Sequence, residues 1–177
     1  MISYTPDLVI FDLDMTLIDT SALSAFRTSR NWQNVFAHFS DTTLYDGVAK
    51  CILELTSKTK VGVVTNTPRP YAEQILKYHQ LNLPVFVAYH DTPKHKPAPE
   101  PFLKACEINT VNANDHFIVS IGDDIRDIEA SKRIAGLYAI GVTWGVNSSK
   151  ELYNAGADSI ISHIEELIDA FVEIQGD

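Results

Sequence analysis

The sequence predicts an α/β fold, a three-layer, doubly wound parallel sheet of the Rossmann-like type. Three observations carry that prediction. Short, largely apolar runs at residues 8–11, 61–64, 117–121 and 137–142 have the length and composition of strands buried on both faces. Stretches of helical periodicity separate them, and alternating strands and helices imply a parallel sheet covered on both sides. The first three of these runs end in Asp12, Thr65 and Gly122-Asp123, and ligands bind such sheets beyond the carboxyl ends of the strands.

The chain has 177 residues, which suits one domain, residues 1–177, with room for a small insertion. Apolar residues make up 45% and charged residues 21%, ordinary values that argue against disorder. A formal net charge of −9 disfavours nonspecific binding to nucleic acid or to anionic membranes. Cys51 and Cys106 fall in helical patterns and read as small buried residues rather than a disulfide. Asp12 breaks the first apolar run, so a signal peptide or membrane span is not expected and a cytoplasmic setting fits.

Taken in order, residues 8–11 are the first strand, which delivers Asp12 and Asp14 to one sheet edge. Two acids there are costly without a cation or partner. Asp19, Thr20 and Ser21 suit a helix N-cap, and Trp32, Val35, Phe36 and Phe39 form the apolar stripe of the helix that follows, with Arg27, Arg30 and Asn31 on its polar face. That helix either packs on its own domain or forms a lid over the acidic edge. Asp46-Gly47 opens a helix with Val48, Ile52 and Leu55 inward.

The second strand ends in Thr65-Asn66-Thr67, and Pro68 suits the first turn of a helix whose inner face is Tyr71, Ile75 and Tyr78. A third strand begins at Val85. The proline-stiffened loop 90–99 leads into a helix with Phe102, Leu103 and Cys106 inward. After the fourth strand, a helix sets Ile125, Ile128 and Ile134 to the core and closes on Gly136 as its C′ glycine. The fifth strand, 137–142, precedes a short helix capped by Ser148 or Ser149 and a sixth strand at 159–162. Ser162 and Glu165 form a capping box for a last helix carrying Leu167, Ile168, Phe171 and Val172. The six histidines show no ligand spacing and read as surface residues, with His90 and His95 nearest Lys96 in the chain.

Four polar segments then stand in order: Asp12-Leu13-Asp14-Met15-Thr16, Thr65-Asn66, Lys96-Pro97-Ala98-Pro99 and Gly122-Asp123-Asp124-Ile125-Arg126-Asp127. Together they resemble the four motifs of the haloacid dehalogenase-like (HAD) hydrolases, and the resemblance covers nearly the whole chain. Asp14, which the family's dehalogenases lack, is similar to the second acid of its phosphatases and phosphotransferases. A carboxylate is a competent nucleophile toward phosphorus once charge is neutralised, and an aspartyl-phosphate splits one hard displacement into two. The resemblance implies Asp12 as nucleophile and Asp14 as general acid and base. It also implies Thr65, Asn66 and Lys96 as phosphate-binding groups, with Thr65 and Lys96 stabilising the transferring phosphoryl group. The implied metal ligands are Asp12, the Asp14 carbonyl and Asp123, and an all-oxygen set indicates Mg²⁺. Thr16, Asp124 and Asp127 are expected to support those ligands.

Relatives carry a helical cap between the first two motifs. Here the free span is about residues 21–41, so the cap is minimal, and the open site implies a large or flexible phosphorylated substrate or completion by a second subunit in a homo-oligomer. Residues 141–145 resemble phosphoglycolate phosphatase-like members, which points to a small phosphorylated molecule. Arg27, Arg30 and Arg69 are candidates for a second anionic group on it. The expected activity is a Mg²⁺-dependent phosphomonoesterase. The alternatives are a phosphotransferase or phosphomutase of the same fold, or a non-catalytic binding protein that retains it.

Overall fold

The structure is a computed structural model that describes residues 5–173. In chain order its strands are β1 (Leu8–Phe11), β2 (Ile18–Asp19), β3 (Thr43–Leu44), β4 (Lys60–Val64), β5 (Val85–Val87), β6 (Ile118–Gly122), β7 (Leu137–Val142) and β8 (Ser159–Ile161). Its α-helices are α1 (Ser24–Thr28), α2 (Trp32–Ala37), α3 (Val48–Thr56), α4 (Arg69–Tyr78), α5 (Glu100–Asn109), α6 (Ile125–Lys132), α7 (Ser149–Asn154) and α8 (Glu166–Glu173). Six strands form one parallel sheet in the order β5-β4-β1-β6-β7-β8. This is the doubly wound, Rossmann-like arrangement the apolar runs predict, with β1 at its centre. No described helix is long and apolar enough to cross a membrane.

Strand β1 is buried throughout because it feeds both layers. Its side chains alternate, so Val9 and Phe11 join the core under α3, α4 and α8, while Leu8 and Ile10 join the core under α5 and α6. Phe11 pairs with Val63 on one side and Ile121 on the other. That register brings the residues after β1, β4 and β6 to one edge. A two-stranded antiparallel ribbon, β2 with β3, stands beyond it. Residues 20–42 leave and re-enter through that ribbon and contain α1, α2 and two short 3₁₀ turns.

Some local expectations hold and others change. The Trp32 stripe faces inward: Val35 is fully buried, Phe39 nearly so, and the Trp32 and Phe39 rings meet Tyr71 at 6.0 and 5.9 Å. Tyr78 and Leu103 are instead about half exposed, because Ala72 and Leu76 on α4 and Ala105 on α5 fill the inner positions. Thr20 makes no capping bond; its hydroxyl goes to Asp14. Helix α6 stops at Lys132, so Ile134 lies beyond it and Gly136, at φ +82°, serves the turn into β7 rather than the C′ position. The last box shifts by one residue, with the His163 N–H donating to Glu166. Leu167 and Phe171 are buried, while the side chains of Ile168 and Val172 lie outside the described residues. Both cysteines are free and buried.

Candidate active site

Asp12 is the first residue past β1, and its N–H still donates to the Ile121 carbonyl at 2.9 Å. The chain then departs from the extended path. Met15 adopts φ +65°, an uncommon conformation for a side chain of its size, and its N–H closes on the Ile18 carbonyl at 2.8 Å. Asp12 and Asp14 therefore do not remain on one strand face. Asp12 looks across the sheet edge, and Asp14 looks toward the segment that carries α1.

Lys96 arrives from the loop before α5 and is 5% exposed. Its three ammonium donors are all used, on Asp12 Oδ1 at 2.6 Å, Asp127 Oδ1 at 2.5 Å and the Val64 carbonyl at 3.0 Å. Burial pulls this lysine toward its neutral form, but the Asp12 and Asp127 carboxylates outweigh burial and hold it above the ordinary lysine range. Asn66, expected among the phosphate-binding groups, lines the cavity and also braces Lys96. Its amide donates to the Lys96 carbonyl at 2.9 Å and accepts from the Lys96 N–H at 3.1 Å, so it fixes the lysine's backbone. Thr65 is buried at the end of β4, and its hydroxyl accepts the Thr67 N–H and shares a 2.9 Å bond with the Thr67 hydroxyl.

The fourth motif divides its three acids. Asp123 is 1% exposed; its Oδ1 accepts the Thr16 hydroxyl at 2.6 Å and its Oδ2 the Val146 N–H at 2.9 Å. Burial and then the Asp12 charge push its carboxyl up to about 6, against those two donors. Asp127 is also buried, beside Lys96, and burial pushes it up against the lysine's pull. Asp124 turns away: it caps α6 through the Arg126 N–H and takes a two-point ion pair from the Arg126 side chain at 2.9 and 2.6 Å. Asp127, not Asp124, is thus the acid that joins the cluster.

Asp12, Asp123 and Asp127 each offer a carboxylate oxygen, and these atoms lie within 4.8 Å of one another. Three hard oxygen donors with buried, mutually repelling charge fit a hard divalent cation. Two glycines make room for them. A Cβ on Gly122 would fall 2.5 Å from Asp127 Oδ2, and one on Gly145 would fall 2.3 Å from Asp123 Cβ.

Asp14 has partners that sequence reasoning missed. Its Oδ1 accepts Arg27 Nη1 at 2.5 Å, Tyr71 Oη at 2.6 Å and Thr20 Oγ1 at 2.9 Å, while its buried Oδ2 has no partner among the described residues. Burial pushes this carboxyl up, and Arg27, then Tyr71 and Thr20, pull it back. A phenol on the otherwise apolar inner face of α4 was the available signal, since a buried Tyr hydroxyl needs a partner. Asp14, Thr20 and Arg27 line a cavity of about 1120 Å³, with Trp32 and Tyr89 at its sides, and the buried Tyr71 stands behind them. The edge can hold a phosphoryl group against a nucleophile, a cation and a proton donor together.

Comparison with known proteins agrees with this geometry. The model of the haloacid dehalogenase-like hydrolase family matches residues 25–142. The N-acetylmuramic acid 6-phosphate phosphatase of Pseudomonas putida is 36% identical over 130 residues, covering 70% of this chain and 56% of that protein. The phosphoglycolate phosphatase of Nitrosospira multiformis is 29% identical over 131 residues, covering 72% and 56%. The chain thus spans 56% of the length of these curated relatives. Among solved structures, a haloacid dehalogenase-like hydrolase family protein from Streptococcus pneumoniae superposes with a TM-score of 0.75 at 19% identity, over 97% of this chain and all of that one. Matching family model, parallel sheet and the order of the four motifs agree: the chain belongs to the haloacid dehalogenase-like hydrolases.

Proposed function

We propose that the protein is a Mg²⁺-dependent phosphatase that hydrolyses a phosphomonoester through an aspartyl-phosphate on Asp12. The observation that carries this reading is Asp12 at the carboxyl end of the central strand, held by Lys96 and facing Asp123 and Asp127. The names of the relatives, phosphatases of N-acetylmuramic acid 6-phosphate and of phosphoglycolate, support it.

In the first step an Asp12 oxygen bonds to phosphorus while the bond from phosphorus to the leaving oxygen breaks. Asp14 gives that oxygen its proton, and its burial favours the protonated form needed. In the second step ionised Asp14 takes a proton from water, the water oxygen bonds to phosphorus, and Asp12 is released with inorganic phosphate. Lys96 stays charged and offsets the negative charge of the phosphoryl oxygens, with Thr65 at the start of the turn into α4. A bound Mg²⁺ on Asp12, Asp123 and Asp127 or its water, and on the Asp14 carbonyl, would supply positive charge to the phosphoryl group.

The whole chain is read as one domain, and residues 21–41 as its minimal cap. Trp32 and Arg27 from that segment line the cavity, which supports the cap assignment. The test is phosphate release across a panel of phosphate esters, including an aryl phosphate, with and without Mg²⁺. Release is expected to need Mg²⁺ and to vanish in Asp12→Asn; turnover unchanged by a chelator refutes the reading.

A further inference from the structure

Four arginines stand near the site, and their partners separate them. Arg69 is spent on the Val85 carbonyl at 2.7 Å and on Asp91 and Glu73, away from the cavity wall. Arg126 lines the cavity but forms the two-point pair with Asp124. Arg30 also lines the cavity, but it is exposed, and no side-chain hydrogen bond, ion pair or ring contact among the described residues holds its guanidinium in place. Arg27 differs from all three. Its side chain is 27% exposed and lines the cavity, and only Nη1 is engaged, by Asp14 and Thr20. Its guanidinium carbon lies 5.5 Å from the centre of the Tyr71 ring. The group is therefore held at one corner and supported by an aromatic ring. The edge formed by Nε and Nη2 has no partner among the described residues.

We infer that Arg27 is the specificity-determining residue of the site, and that its free edge receives a carboxylate or comparable acidic group on the leaving part of the substrate. A planar guanidinium edge matches a carboxylate by two parallel hydrogen bonds, and a neutral hydroxyl cannot use both donors equally well. The cavity otherwise shows an incoming anion mostly acid: Asp12, Asp14, Asp123, Asp124 and Asp127 all line it. A leaving group with its own negative charge needs a cation that Lys96, enclosed by Asp12 and Asp127, does not offer. Through Nη1 the same arginine is also a positioning residue for Asp14, so binding of the acidic group and placement of the proton donor share one side chain.

The inference rests on the phosphatase reading for its chemistry, so its test has one arm with turnover and one without. In the first, kcat/KM is measured with phosphoglycolate and with 2-hydroxyethyl phosphate, which differ in the carboxylate. The wild type is expected to favour the acid by at least tenfold, Arg27→Met to reduce that ratio to near one, and Arg27→Lys to keep part of it. Damage to Asp14 placement alone lowers both substrates together and leaves the ratio intact, which overturns the inference. In the second arm, calorimetry compares 3-phosphonopropanoate with propylphosphonate, neither of which can be hydrolysed. A tenfold preference for the acid that Arg27→Met abolishes supports the inference even if the protein proves inert toward esters, a result that would sink the phosphatase reading alone. Equal binding of the two phosphonates by the wild type overturns the inference whatever the turnover.

Discussion

Replacing Lys96 by Met tests how the buried charges at the sheet edge are balanced. The methionine matches the lysine stem in length and keeps its packing, but it removes the ammonium from between Asp12 and Asp127. Those two carboxylates and Asp123 would then face one another with ligand oxygens within 4.8 Å and no protein cation among them. Breaking a buried pair by removing one partner costs about 3–5 kcal/mol. For a chain of this length, about 1 kcal/mol corresponds to a shift in melting temperature of roughly 2–4 °C, so the metal-free variant should melt roughly 6–20 °C lower at pH 7.5. The sign of the pH dependence follows from Asp123 and Asp127, whose carboxyls are already raised by burial. Losing the lysine raises them further, the folded state then binds more protons than the unfolded chain, and the deficit should shrink toward pH 5. Added Mg²⁺ should also shrink it at pH 7.5. Thermal or urea unfolding in a chelator at the two pH values, and again with Mg²⁺, measures all three effects. A variant that melts within 2 °C of the wild type at pH 7.5 without metal refutes the charge balance described.

Further expectations concern the same edge. Gly145→Ala puts a methyl group 2.4 Å from Asp123 Oδ2, so titration calorimetry should find Mg²⁺ bound at least about tenfold more weakly; wild-type affinity would contradict this. Asp123 has a folded value of about 6 against 3.8 unfolded, so its contribution is present below pH 4 and is lost as pH rises through 6, about 3 kcal/mol in all. Urea unfolding of metal-free protein at pH 4.5 and 7.0 should show that loss in the wild type relative to Asp123→Asn; parallel curves would argue against it. Asp124→Ala removes the cap of α6 and should cost about 1–2 kcal/mol in stability, yet reduce turnover less than Asp127→Ala does. Equal losses of turnover would place Asp124 in the cluster after all.

The positions of Asp12, Thr65 and Asp123 were legible because a largely apolar run ends where a parallel strand ends, and the pairing register aligns those ends. Helix faces were less legible. Tyr78 and Leu103 fit the inner stripe by spacing, but the neighbouring Leu76 and Ala105 occupy it, and that choice depends on which face the sheet presents. The bracing role of Asn66 was hidden for a similar reason: its amide finds the Lys96 backbone 30 residues away, a contact no local pattern records.

Sequence alone determined the doubly wound sheet, the acidic edge and the order of the four motifs, since each depends on local hydrophobic patterning and strand ends. Tertiary structure decided how the groups are paired. Lys96 reaches Asp12 across 84 positions and Tyr71 reaches Asp14 across 57, so both contacts exist only once the sheet has closed. Arg27 is the clearest case, a residue of an apparently polar helix face that folding turns onto Asp14. Buried charges take the partners that packing brings within about 3 Å, and sequence distance does not encode that.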